Sequence, residues 1–296
     1  MDWCQFVMDL KSLDPATVEN AFSRLGASSV SLSDAGDDPV LEPGPGETPL
    51  WSSIRITGLF PGDADMEAFG AALLADLGLD ELPAHHIEQL ADRTWEREWL
   101  RDFGPMRFGE RLWICPTGSH VDDEDAIVVN LDPGMAFGTG THPTTALCLE
   151  WLDGIDLAGK TLLDYGCGSG VLAIAGLKLG CSSATGMDID PQAVIATRQN
   201  AADNNVAENL LVTGSPDGIE GQFDVVVANI LAGPLAQFAD SITSTLASRG
   251  MLALSGVLCE QADEVMAAYK GWIEFEEPEF REQDGQIWSR LTGSKR

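Results

Sequence analysis

Three short clusters in this chain of 296 residues carry glycines and polar side chains suited to binding chemistry. The first is Asp164-Tyr165-Gly166-Cys167-Gly168-Ser169-Gly170. Glycines at alternate positions let a strand turn sharply into a helix. They also bring backbone N–H groups against a ligand at the carboxyl edge of a sheet, where nucleotides bind. The spacing is G-x-G-x-G rather than the G-x-G-x-x-G of dinucleotide sites, which favours a nucleotide-like ligand over a pyrophosphate. The second cluster is Gly186-Met187-Asp188-Ile189-Asp190-Pro191. Asp188 stands at a predicted strand end, roughly 20 residues beyond the glycines, where an acidic side chain can accept both ribose hydroxyls of an adenosine. Asp190, immediately before Pro191, reads as a helix cap. The third cluster is Asn229-Ile230-Leu231-Ala232, which puts an amide at the end of an apolar strand. Its oxygen can accept a hydrogen bond from an amine, and the same residue would also serve as a strand-end cap.

These clusters need a sheet to carry them, and the pattern from Lys160 onward supplies one. Strands at 161–165, 184–188, 210–213, 223–229 and 251–255 alternate with helices at 170–179, 191–204, 234–247 and 259–269. The runs Val225-Val226-Val227-Ala228 and Met251-Leu252-Ala253-Leu254 are apolar throughout, as strands covered on both faces must be. Residues 273–275 and 286–291 read as a closing antiparallel edge pair. The glycines therefore sit at the carboxyl end of a central strand in a doubly wound α/β domain.

The first part of the chain follows a different order. Strands at 3–10, 28–33, 51–59 and 85–90 and helices at 15–25 and 65–77 give βαββαβ, the order of a ferredoxin-like split βαβ domain. A loop at 37–49 with four prolines cannot hold regular structure. The stretch 93–102 is charged, contains Trp95 and Trp99, and lacks an apolar stripe, so it reads as a connector. Strands at 112–115 and 126–131 then lead to the glycine-bearing loop 132–142 and a helix from Pro143. The predicted division is a ferredoxin-like domain over 1–92, a connector over 93–110 and the α/β domain over 111–296.

Composition narrows the function classes. A formal net charge of −30 leaves too few clustered cations to hold a nucleic acid by its phosphates, and suits a basic partner instead. Residues 1–92 contain 17 acidic and 3 basic side chains, the denser share of that charge. Six cysteines and four histidines fall at no metal-ligand spacing, so no metal is expected. No apolar run reaches a bilayer span, and the N-terminus carries no export pattern, so a cytoplasmic location without membrane contact is expected.

Taken with Phe137-Gly138-Thr139-Gly140-Thr141-His142-Pro143-Thr144-Thr145 and Asn229-Ile230-Leu231-Ala232-Gly233-Pro234, these clusters resemble the PrmA family, bacterial methyltransferases of large-subunit ribosomal protein eleven. The resemblance extends through 95–99, 108–116 and 41–47, nearly the whole chain. It implies a class I, Rossmann-like methyltransferase domain that uses S-adenosylmethionine, joined to a smaller N-terminal domain that recognises the ribosomal protein. The implied acceptors are lysine side-chain amines and the N-terminal α-amine. It also implies that Thr145, Gly166, Asp188 and Asn229 contact the cofactor, beside Asp164, Gly168 and Gly170 of the turn. Asn229, Phe137 and His142 would border the methyl-transfer site. His142 has an equal alternative as the residue that starts the helix at Pro143. Methylation of another basic protein or of a nucleobase, or a noncatalytic module that binds a ribosomal protein, remain alternatives on sequence grounds. Methyltransferases acting on planar bases commonly have Asn-Pro-Pro-Tyr where this chain has Asn229-Ile230-Leu231-Ala232, which favours a flexible aliphatic amine.

Overall fold

A computed structural model describes residues 3–36, 51–90, 104–132 and 142–296. The predicted loop at 37–49, the stretch Trp95–Trp99 and the segment 133–141, with Phe137, lie outside the described residues. The chain divides into two compact units, Met1–Arg97 and Glu98–Arg296.

The first unit runs β1 (Trp3–Asp9), α1 (Pro15–Arg24), β2 (Ser29–Asp34), β3 (Ile54–Pro61), α2 (Met66–Leu77) and β4 (His85–Leu90). Its sheet has the order β2-β3-β1-β4, every neighbouring pair antiparallel, which is the split βαβ arrangement. Local chemistry sets the helix ends. Asp14 accepts from Thr17 N and is followed by Pro15; Asp65 accepts from Ala68 N, and Gly78 closes α2 in the left-handed conformation. The buried face gathers Phe6, Phe22 and Phe69 edge-to-face, with ring centroids 5.0 to 5.9 Å apart. Each such ring contributes about 1.5–3 kcal/mol through burial. Gly58 in β3 is required by this cluster, because a Cβ there would lie 2.5 Å from the Phe22 ring.

The second unit opens with a small sheet, β5 (Met106–Phe108), β6 (Leu112–Cys115) and β7 (Ile127–Asn130). β5 lies within the stretch expected to be connector. It pairs antiparallel with β6 because buried Phe108 and Leu112 face each other across a tight turn. That turn rests on the buried Asp153, which accepts from Glu110 N (2.6 Å) and Arg111 N (3.1 Å). After α3 (Pro143–Gly154) come β8 (Thr161–Tyr165), α4 (Val171–Lys178), β9 (Ser183–Met187), α5 (Pro191–Asp203), β10 (Leu210–Thr213) and β11 (Phe223–Asn229). The remainder is α6 (Ala232–Gln237), α7 (Ala239–Ser244), β12 (Leu246–Leu258), α8 (Ala262–Tyr269), β13 (Ile273–Phe275), β14 (Glu279–Gln283) and β15 (Gln286–Lys295).

The large sheet has the order β10-β9-β8-β11-β12-β15-β13, with β14 also paired to β15. The pairs from β10 to β12 are parallel and those of β15 antiparallel. After β8 the chain winds outward to β10, then returns to place β11 on the other side of β8. This reversal opens a crevice at the carboxyl ends of β8 and β11.

Two expectations are corrected here. The helix expected over 234–247 is two short helices that meet at Phe238, whose backbone is not helical. Tyr269 Oη, from α8, donates to Leu235 O at 2.9 Å and so takes the carbonyl that a continuous helix would offer to Ala239 N. The expected antiparallel pair at the C-terminus forms, β13 with β15 at the end of the sheet, but β15 is itself internal, between β12 and β13, and carries β14 as a further strand. β14 escaped prediction because Glu279-Phe280-Arg281-Glu282-Gln283 has a single apolar residue and therefore no alternation to read.

Candidate cofactor and acceptor site

The crevice holds a cavity of about 420 Å³, lined by His142, Thr144, Thr145, Gly166, Cys167, Gly168, Val171, Leu172, Asp188, Asn229, Ile230, Leu231, Gly256 and Trp288. That volume falls in the range of about 300–1,000 Å³ typical of small-molecule sites, and its lining is mostly apolar with a few placed polar groups.

The glycine turn forms its floor. Gly166 N and Cys167 N both donate to Met187 O (2.7 and 3.0 Å), which ties the turn to the end of β9. Gly166, Gly168 and Gly170 all have positive φ, at 82°, 54° and 79°. A Cβ at Gly166 would stand 2.3 Å from Ile230 Cγ2, so this glycine is needed for space as well as for backbone conformation. Gly170 has another reason: a Cβ there would lie 2.6 Å from Thr197 Cγ2 of α5, away from the cavity lining. Of the three glycines proposed as ligand contacts, 166 and 168 line the cavity and 170 packs against a helix.

Asp188 ends the neighbouring strand and faces the cavity. Its Oδ2 accepts from Gly168 N (2.8 Å) and its Oδ1 from Asp190 N (2.9 Å). An ionised carboxylate offers about four lone-pair positions, so acceptor capacity remains for a ligand. Asp190 caps α5 by accepting from Gln192 N at 2.9 Å. Asp164 is placed differently. It is buried beneath the turn, absent from the cavity lining, and accepts from Ala173 N (3.1 Å) through Oδ2, while Oδ1 has no partner among the described residues. Burial pushes its carboxyl up to about 7; the nearby Asp188 charge adds to the rise, and the Ala173 bond opposes it. Its position supports the turn rather than touching what the turn holds. The Cys167 thiol is pushed by burial to about 12 and stays protonated.

On the opposite wall, Asn229 Nδ2 donates to Thr145 Oγ1 at 3.1 Å, and the buried Asn229 Oδ1 has no partner among the described residues. A buried acceptor without a donor costs about 1–3 kcal/mol, which is recovered when a ligand N–H or O–H reaches it. Thr145 lies in the first turn of α3, with the preceding His142 as its N-cap. Thr144 meets His142 Nδ1 through its hydroxyl (2.7 Å) and its N–H (3.4 Å), so Nδ1 acts as the acceptor and the ring proton belongs on Nε2. Burial holds the imidazole below its ordinary pKa, hence neutral at pH 7. His142 thus starts the helix and also lines the cavity, packed edge-to-face on Trp288 with centroids 4.7 Å apart.

Trp288 and Gly256 are site residues that sequence reasoning missed. Gly256 has φ 86°, and a Cβ there would come within 2.2 Å of Ile230 O. A lone glycine just after the predicted strand 251–255 is a recognisable sign of close backbone approach. Trp288 comes from β15 and left no local sign. Two arginines clamp that part of the sheet to α3: Arg281 Nη2 binds the Glu150 carboxylate (2.7 and 2.9 Å), and the buried Arg290 Nη1 donates to Leu147 O (2.6 Å). Among the described residues, no group of three His, Cys, Asp or Glu could hold a metal ion, and no helix is long and apolar enough to cross a membrane.

Comparisons with known proteins point to one family. The family model described as "Ribosomal protein L11 methyltransferase (PrmA)" matches residues 2–296. The ribosomal protein L11 methyltransferase of Klebsiella pneumoniae subsp. pneumoniae is 49% identical over 298 residues, covering 100% of both chains. That of Haemophilus ducreyi is 47% identical over 298 residues, again 100% of both. Among solved structures, a ribosomal protein L11 methylase from Lactobacillus delbrueckii subsp. bulgaricus superposes with TM-score 0.59 at 29% identity, covering 66% of this chain and 100% of that chain.

Proposed function

Because this chain belongs to the PrmA family of ribosomal protein L11 methyltransferases, we propose that it transfers methyl groups from S-adenosylmethionine to amines of ribosomal protein L11. The observation that carries this reading is a single cavity, at the reversal point of the sheet, that brings together Gly166, Gly168, Asp188, Thr145 and Asn229. These residues fit the cofactor. The cavity has room for a nucleoside against Val171, Leu172, Ile230 and Leu231, and it contains an unsatisfied acceptor at Asn229 Oδ1.

Bound there, S-adenosylmethionine supplies a methyl group activated by its sulfonium. The protein's own residues do the rest. Asp188 accepts the ribose hydroxyls with the lone pairs left over from Gly168 and Asp190. Thr145 holds the Asn229 amide nitrogen, leaving Oδ1 as the acceptor for an amine N–H. Transfer to nitrogen needs a neutral amine aligned at near-attack distance, and a lysine amine has an ordinary pKa near ~10.4. The apolar walls disfavour its charged form and lower that value. Asn229 accepts no proton; it orients the amine, and the proton leaves to water. His142 and Trp288 form the aromatic wall beside it, with Phe137 assigned to the same border by family resemblance.

The targets we assign are lysine side-chain amines and the N-terminal α-amine. A net charge of −30 suits a basic protein substrate and speeds its encounter. Residues 1–92 are assigned to recognising it, and the reaction is assigned to the cytoplasm. The test is mass spectrometry of ribosomal protein L11 after incubation with the enzyme and labelled cofactor. Label is expected on lysine and N-terminal nitrogens; unlabelled L11 would refute the reading.

A further inference from the structure

α5 begins just after Asp188 and turns a row of polar side chains toward the site without reaching the cavity. Thr197 is fully buried, and its Oγ1 donates to Gly168 O at 2.9 Å. The Cys167 thiol lies 3.4 Å from Thr197 Oγ1 and, with the hydroxyl proton committed to Gly168 O, serves as the donor to it. One turn further along, Asn200 Nδ2 donates to Ser169 O at 2.8 Å. Asn204, at the helix C-cap, binds a different element: its Oδ1 accepts from Asn130 N and its Nδ2 donates to Asn130 O, both at 2.7 Å. The same side of α5 therefore holds the glycine turn at one end and β7 at the other.

Gly168 is consequently gripped on both sides, by Asp188 at its N–H and by Thr197 at its carbonyl. The Thr197 methyl occupies the space left by the missing side chain of Gly170, so the glycine and the threonine require each other. We propose that Thr197 and Asn200 are positioning residues of the cofactor site. They fix the carbonyls of Gly168 and Ser169 so that the Gly168 N–H stays on Asp188 and the carboxylate keeps its aim. This rests on the assignment of Asp188 and the turn to the cofactor. Without the Thr197 hydroxyl the peptide between Gly168 and Ser169 is released, the backbone at Gly168 can shift about its Cα, the Asp188 carboxylate holds the Gly168 N–H less firmly, and the ribose contact weakens.

The test is calorimetric titration of the full-length protein with S-adenosylmethionine, alongside thermal unfolding. Thr197→Val keeps the shape and removes the donor; it should raise Kd by up to about tenfold, the upper end of the scale of one neutral hydrogen bond, and leave kcat at saturating cofactor within about twofold. Thr197→Ser restores the donor and should return Kd to within about twofold of wild type. Asn200→Ala should weaken binding about threefold to fivefold. Asn204→Ala is the control, lowering the unfolding temperature while leaving Kd unchanged. The proposal is overturned if Thr197→Val binds like wild type, or if Asn204→Ala loses affinity as much as Thr197→Val, since lost helix stability would then explain both. Failure of the wild-type protein to bind the cofactor would instead refute the site assignment on which the proposal rests.

Discussion

Gly166→Ala puts the two demands on the glycine turn into conflict with one methyl group. The residue has φ 82°, where an L side chain costs about 1–2 kcal/mol. The new Cβ would lie 2.3 Å from Ile230 Cγ2, and overpacking of that kind costs about 1–3 kcal/mol. Together the substitution should destabilise the turn by about 2–5 kcal/mol. The two parts can be separated, because only the second depends on Ile230. Ile230→Ala deletes Cγ2 and should recover about 1–3 kcal/mol in the double variant, measured as the coupling energy of a double-mutant cycle. Ile230→Val keeps the offending methyl and should recover nothing. Hydrogen exchange of β8 and β11 amides in the full-length protein reads local stability at the right place, and cofactor titration reads the site. Additive effects of Gly166→Ala and Ile230→Ala, or equal rescue by valine and alanine, would refute the steric account.

Asp188→Ala should weaken S-adenosylmethionine binding by about 1.5–3 kcal/mol, the range for hydrogen bonds to a charged group, and unchanged affinity in a titration would remove the ribose assignment. Asn229→Ala should lower turnover with saturating ribosomal protein L11 far more than it changes cofactor affinity; retained turnover in a steady-state assay would end its amine-orienting role. Asp164 predicts a pH dependence. Its folded pKa of about 7 stands above the ordinary 3.8, so the stability it contributes is fully present below about pH 4 and is lost as pH rises through 7. Asp164→Asn should remove that slope and be the more stable protein at pH 8, by up to about 4 kcal/mol. Urea unfolding of both proteins from pH 4 to 8 checks this, and parallel stability curves would contradict the buried, poorly partnered carboxyl.

Much of this architecture is legible in the sequence because its signals are local. β8 begins and ends where the pattern puts it, at Thr161 and Tyr165, since a covered strand bounded by a glycine turn has no competing reading. The caps Asp14, Asp65 and Asp190 start their helices through bonds two or three residues away. The clusters at 164–170, 188 and 229 announce a ligand at the carboxyl edge of a sheet for the same reason: strand ends and glycines are features of a few adjacent residues. The tertiary structure decided how those features divide the work. Asp164 and Gly170 share a motif with Gly166 and Gly168, but the first is sealed below the turn and the second gives its side-chain space to Thr197. Trp288 reaches the site only because β15 inserts beside β12 and two arginines bind its hairpin to α3. Such placements depend on contacts between residues more than a hundred positions apart. A chain's local propensities specify where strands end and helices begin; which side chains then share a cavity is settled by packing between elements, which no short window of sequence contains.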